Sequence, residues 1–150
     1  MHGRAGRENL PGKVIIQTYN PENFSIECSK KQDYNMFYNT EIALRKQLKY
    51  PPFCDIIIIR FVSTDEKEII RLSELVYKYL NKELQKYSFN IFKPMPAPID
   101  KIQKNFRWRI IAKGNVTREV NEILNNCLKK VYSLNNKVNI SIDINPNSMI

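Results

Sequence analysis

An α+β fold of the ferredoxin-like, split β-α-β-β-α-β kind, an antiparallel sheet with two helices on one face, is predicted for residues 51–150 by three observations. Two segments, 65–87 and 116–134, repeat apolar residues at helical spacing. Four β-rich runs flank them in the order this topology requires. The dipeptide Pro51-Pro52 separates these elements from an upstream stretch of different character, since proline lacks the N–H that a continuing helix needs.

Taken in order, residues 13–19, KVIIQTY, lie between Pro11-Gly12 and Asn20-Pro21 and predict a buried strand. Residues 21–30 open a short helix. Asp33 is placed to cap a longer one carrying Phe37, Ile42, Leu44 and Leu48, which Pro51-Pro52 stops. The expected domains are therefore 1–50 and 51–150, with Tyr50-Pro51-Pro52-Phe53 as the junction. Beyond it, residues 54–62, CDIIIIRFV, form the first strand, and 65–87 a helix with Ile69, Leu72, Val76 and Leu80 on one stripe. Residues 89–93 give a short strand, and the proline-rich stretch 94–99 a rigid connector. The third strand is 106–113, the second helix 116–134 with Val120, Ile123, Cys127 and Val131 inward, and the fourth strand 138–144.

Composition bounds the function. A chain of 150 residues with 43% hydrophobic content buries one substantial core. Its 24 basic and 15 acidic residues give a net charge of +9, which favours an anionic partner, nucleic acid foremost. Cys28, Cys54 and Cys127 lack the paired spacing of a zinc site or a disulfide framework, so reduced thiols are expected. No apolar run approaches membrane-spanning length, and no secretory signal opens the chain.

Alternation sorts the third strand into Phe106, Trp108, Ile110 and Ala112 on one face and Arg107, Arg109, Ile111 and Lys113 on the other. From 101 to 118 there are six basic residues, Lys101, Lys104, Arg107, Arg109, Lys113 and Arg118, and no acidic one. Cations on an open sheet face track a phosphate backbone. The competing reading is a solvated face that packs on the rest of a larger protein. Trp108 shares its phase with Phe106 and Ile110, so packing is expected of it rather than base stacking.

The remaining motif is Gly3-Arg4-Ala5-Gly6-Arg7. Planar guanidinium groups pair bidentately with phosphate, and the glycines admit close backbone approach. This pentapeptide followed by a β-branched run resembles the sixth motif and last core strand of superfamily-2 helicases, within them the PriA family of primosomal replication-restart helicases. Asp33-Tyr34, Phe37-Tyr38, Glu41, Arg45, Tyr50-Pro51-Pro52-Phe53, Pro96-Ala97-Pro98-Ile99 and Phe106-Arg107-Trp108 extend the resemblance over residues 3–150. The family's Gln-x-Ala before the first glycine is absent, with His2 standing where a small residue belongs, and His2 is expected to be neither ligand nor catalyst.

The resemblance implies that residues 1–50 are a strand-helix remnant of a RecA-like helicase lobe and that the chain is the tail of a larger ATP-dependent DNA helicase. Gly3, Arg4, Gly6 and Arg7 would then meet nucleotide phosphates, with an arginine finger among them. ATP, magnesium and structural zinc are expected in the larger protein and none in this chain, which lacks a Walker lysine and is expected to be inactive alone. The implied partners are forked or single-stranded DNA, other primosome proteins, the rest of the helicase and the acidic tail of single-stranded DNA-binding protein, for which Arg118 is the candidate contact. The implied location is the bacterial cytoplasm, at the nucleoid. The rival is a free-standing module for single-stranded RNA, which needs aromatic residues on the open face.

Overall fold

The computed structural model describes residues 6–7, 10–11, 14–102, 104–134 and 137–147. The chain divides into two compact units, Met1–Ala43 and Leu44–Ile150.

In the first unit, β1 (Gly6–Arg7) and β2 (Leu10–Pro11) form a two-residue antiparallel pair. The strand expected at 13–19 is not formed: residues 14–18 join no ladder, and Ile15 and Tyr19 are exposed. A β-branched run records a preference for a pleated, half-buried setting, but a strand also needs neighbours for its backbone groups. Among the described residues none pairs with it. Helix α1 (Phe24–Lys31) starts at Asn23, whose Oδ1 accepts from the Ser25 N–H at 2.9 Å, and ends at Gln32 in the left-handed region with φ 54°. The Lys30 ammonium bonded to Glu27 holds that carboxyl below its usual range. Helix α2 (Tyr34–Leu48) is capped as expected by Asp33, whose Oδ1 accepts from the Met36 N–H at 2.9 Å.

The second unit carries the sheet. Strand β3 (Asp55–Ser63) is central, flanked by β6 (Asn105–Gly114) and β7 (Asn139–Ile144), both antiparallel to it. On the far side of β6 lie β4 (Asn90–Ile91) against its second half and β5 (Met95–Ile102) against its first. The order β4-β6-β3-β7 is that of the ferredoxin-like class. Strand β5 corrects the sequence reading, which made 94–99 a connector. Proline cannot donate to a ladder, yet it fits a strand paired on one side only, and the register slips between Pro96 and Lys101 to admit it.

Helices α3 (Glu66–Glu83) and α4 (Arg118–Leu134) cover one face. Asp65 caps α3 by accepting from the N–H groups of Lys67 and Glu68 at 3.0 and 3.3 Å. A 3-10 turn over Gln85–Tyr87 completes the expected helical span. The core joins Ile69, Leu72, Val76 and Leu80 of α3 and Val120, Leu124, Cys127 and Val131 of α4 to Ile57, Ile59, Phe61, Ile110, Ala112 and Ile140 of the sheet. Each such large side chain contributes about 1.5–3 kcal/mol on burial. Ile123, expected fully inward, is only half-buried, because a stripe at 120, 124, 127 and 131 follows the 3.6-residue period more closely.

Candidate nucleic-acid interface

The face of the sheet away from α3 and α4 is set by β3. With Ile57, Ile59 and Phe61 committed to the core, alternation turns Ile56, Ile58, Arg60 and Val62 to the opposite side. Register then places Lys113 opposite Ile56, Ile111 opposite Ile58, Arg109 opposite Arg60 and Arg107 opposite Val62. From β7, Asp143 faces Ile58, Ser141 faces Arg60 and Asn139 faces Val62.

This face has two halves. Ile56, Ile58 and Ile111 form a second small core under Tyr50. The Lys113 ammonium lies 3.8 Å from the Tyr50 ring centroid and 5.9 Å from that of Phe92, cation–π distances. The segment bearing Tyr50 is held by an Arg45 Nη1 bond to the Pro51 carbonyl at 3.2 Å and by the Cys54 thiol donating to the Lys49 carbonyl at 2.9 Å. Burial pushes that thiol's pKa up, in keeping with a protonated donor.

The other half is basic. Arg60 and Arg109 are directly opposed across β3 and β6, an arrangement that like-charge repulsion disfavours. Asp143 moderates it: its Oδ2 lies 3.0 Å from Arg60 Nη1, with the two side chains 24% and 46% exposed. Arg60, Arg107 and Arg109 share a narrow crevice with Ala97 and Pro98 of β5. Three arginines thus share this face, with the Asp143 carboxylate bonded to one of them.

The structure gathers only part of the basic stretch read from sequence. Arg107, Arg109 and Lys113 share the open face. Lys104 is exposed at the turn between β5 and β6, with φ 69°. Lys101 pairs through its backbone with Phe106, and its side chain lies outside the described residues. Arg118 begins α4 in the helical layer, 90% exposed and 3.4 Å from Glu122. Gly3 and Arg4 lie outside the described residues, while Gly6 and Arg7 belong to β1 without described side chains. Trp108 packs on the main core as expected, its Nε1–H donating to Glu66 Oε1 at 3.3 Å.

Sequence reading missed Arg60, Asp143 as its partner, and Tyr50 as a cover. Alternation along 54–62, like that along 106–113, puts Arg60 in phase with Ile56 and Ile58, and that phase is the signal for the first of these. Among the described residues no group of three or more His, Cys, Asp or Glu side chains is placed to hold a metal ion. Cys28 lies in α1, Cys54 in the bend before β3 and Cys127 in α4, and burial pushes the Cys127 thiol up to about 11.

Residues 46–147 match the model of the primosomal protein N C-terminal domain family. Among curated proteins, the chain is 32% identical to Replication restart protein PriA of Synechocystis sp., over 98% of this chain and 17% of that protein. It is 33% identical to the protein of the same name from Chlamydia pneumoniae, over 96% and 19%, and 31% identical to that from Bacillus subtilis, over 99% and 18%. The chain spans about a fifth of the length of these relatives. Among solved structures, a designed protein described with a ferredoxin fold, LFR1 1, is similar at a TM-score of 0.44 and 12% identity, over 63% of this chain and 86% of its own.

Proposed function

We propose, from the premise that this chain belongs to the primosomal protein N C-terminal domain family, that it is the C-terminal part of an ATP-dependent DNA helicase that restarts replication. In this reading residues 1–50 belong to the second helicase lobe, and residues 51–150 form a DNA- and partner-binding domain without an ATPase of its own. The observation that carries it is the convergence of Arg60, Arg107 and Arg109 on one sheet face. Guanidinium groups on a flat β-surface bind phosphate without reading bases, which suits a protein that must engage forks of any sequence.

In the larger protein, Arg4 and Arg7 would contact the phosphates of ATP, with magnesium and the catalytic acids supplied by other segments and zinc by cysteines outside this chain. Arg118, exposed at the start of α4, is the position for the acidic tail of single-stranded DNA-binding protein. Other primosome proteins and the rest of the helicase would meet the remaining surface, in the bacterial cytoplasm.

The test is equilibrium binding of forked DNA across a salt series. Each phosphate contact contributes about −0.9 to the slope of log K against log salt. Arg107→Ala and Arg109→Ala should each weaken binding and flatten the slope by about 1. Unchanged affinity and slope in both variants overturn the reading. Selective binding of short single-stranded RNA that requires Phe106 and Trp108 would replace it with the RNA module, against which stands the packing of both residues on the helix-covered side.

A further inference from the structure

We propose that Phe92 is a base-stacking residue and Lys113 its phosphate partner, so that the open sheet face takes a single DNA strand with an unpaired base. The inference deepens the reading that this face binds DNA, and rests on it.

Strand β4 brings Phe92 to that face. Ile91 packs on the main core opposite Ala112, so the next residue turns to the other side, where its N–H donates to the Ile111 carbonyl at 2.8 Å. This bond fixes the backbone beside Ile111 and leaves Phe92 37% exposed. Phe106 and Trp108 pack on the helix-covered side, but Phe92 does not share their core.

Lys113 supplies the charge. Its ammonium lies 3.8 Å from the Tyr50 ring centroid and 5.9 Å from that of Phe92. Aromatic rings attract a cation without neutralising it. The Asp55 carboxylate is turned to the Val116 N–H and Asn145 Nδ2, at 2.8 and 2.7 Å, and that of Asp143 to Arg60 at 3.0 Å. Tyr50, seated on Ile56, Ile58 and Ile111, therefore acts as a positioning residue that holds the ammonium while leaving its charge to an anion.

One nucleotide satisfies both groups when its base stacks on Phe92 and its phosphate meets Lys113. Stacking needs a base withdrawn from the duplex, because a paired base hides its faces between its neighbours. It tolerates any sequence, since every base has a π-face. Along β6 the same face continues to Arg107, about 20 Å from Lys113, so a strand lying there meets further positive charge beyond the stacked base. An acidic peptide would also meet Lys113, but cations spread over this distance suit a continuous polyanion.

The experiment titrates the full chain with oligothymidine, the same strand carrying abasic sites, and a duplex of equal length. Unaltered protein, Phe92→Leu, Phe92→Tyr and Lys113→Gln are compared, with thermal melts to verify folding. Phe92→Leu keeps an apolar side chain and loses the π-face. It should weaken oligothymidine binding about 5- to 150-fold while leaving the salt slope and duplex binding unchanged. Phe92→Tyr should bind as the unaltered protein does, and serves to show that the position tolerates substitution. Lys113→Gln should flatten the single-strand slope by about 0.7, the value for one phosphate. On the abasic strand Phe92→Leu and the unaltered protein should bind alike. Unchanged oligothymidine affinity in folded Phe92→Leu, or an equal loss on the abasic strand, overturns the proposal. Binding of an acidic peptide that needs Phe92 and Lys113, with a single strand that needs neither, overturns it in favour of a peptide site. Where stacking is refuted, Arg107→Ala and Arg109→Ala on forked DNA tell whether the basic face falls with it: weakened binding keeps that reading, and unchanged binding in both removes it.

Discussion

Adding a single methyl group at Gly114 should loosen the end of the strand that carries Arg107, Arg109 and Lys113. A Cβ built there would lie 2.7 Å from Cγ, Cδ1 and Cδ2 of Phe89, well inside the contact distance of about 3.5–4.0 Å at which carbon atoms attract. The Phe89 ring would have to retreat by about 1 Å, and it packs on the main core, so the neighbouring side chains must give as well. Over-packing of this kind costs about 1–3 kcal/mol. For a domain of this size each kcal/mol lowers Tm by about 4–8 °C. Gly114 pairs with Asp55, whose carboxylate accepts from the Val116 N–H at 2.8 Å and from Asn145 Nδ2 at 2.7 Å, so displacement there is felt by both chain ends of the sheet. Thermal and urea unfolding of Gly114→Ala, Phe89→Leu and the double variant, followed by circular dichroism, tests the account. The double variant should be less destabilised than the sum of the singles, with a coupling of about 0.5 kcal/mol or more. A fully stable Gly114→Ala, or strict additivity, would refute the steric argument.

Other consequences can be checked on the same material. Asp65→Ala removes the oxygen that receives the Lys67 and Glu68 N–H groups and should cost about 0.5–2 kcal/mol in urea titrations. Cys127, 4% exposed with its pKa raised by burial to about 11, should resist alkylation at neutral pH in the native state and react once the protein is unfolded. Because the folded value lies above the unfolded value near 9, the stability from this buried neutral thiol is complete below pH 9 and falls away as pH rises towards 11. Urea midpoints across that range should decline less in Cys127→Ala than in the unaltered protein. Purified chain should show no ATP hydrolysis above background in a phosphate-release assay, and measurable turnover would contradict the expectation of an inactive fragment.

Much of the fold was legible because the two helices bury strict stripes. Ile69, Leu72, Val76 and Leu80 announce α3 without ambiguity, and the cap at Asp65 marks its start. Strand β5 was illegible because Pro96 and Pro98 argue locally for a connector, and only pairing with the long β6 overrules them. The run at 13–19 misled in the opposite direction. Its Val14, Ile15 and Ile16 read as strand, but pairing is a property of neighbours rather than of the segment. The site was half legible for the same reason. Alternation within one strand gave the shared face of Arg107 and Arg109, whereas the opposition of Arg60 and Arg109 and the bond to Asp143 depend on register between residues as many as 83 apart in the chain.

The prolines that hid β5 also shape the outer margin of the sheet. An outer strand with a straight row of free N–H and C=O groups is a template on which a second molecule can add its own strand. Pro96 and Pro98 have no N–H to offer, and the shift in register between Pro96 and Lys101 breaks the row further. Strand addition is thereby disfavoured along the Pro96–Lys101 stretch of this margin.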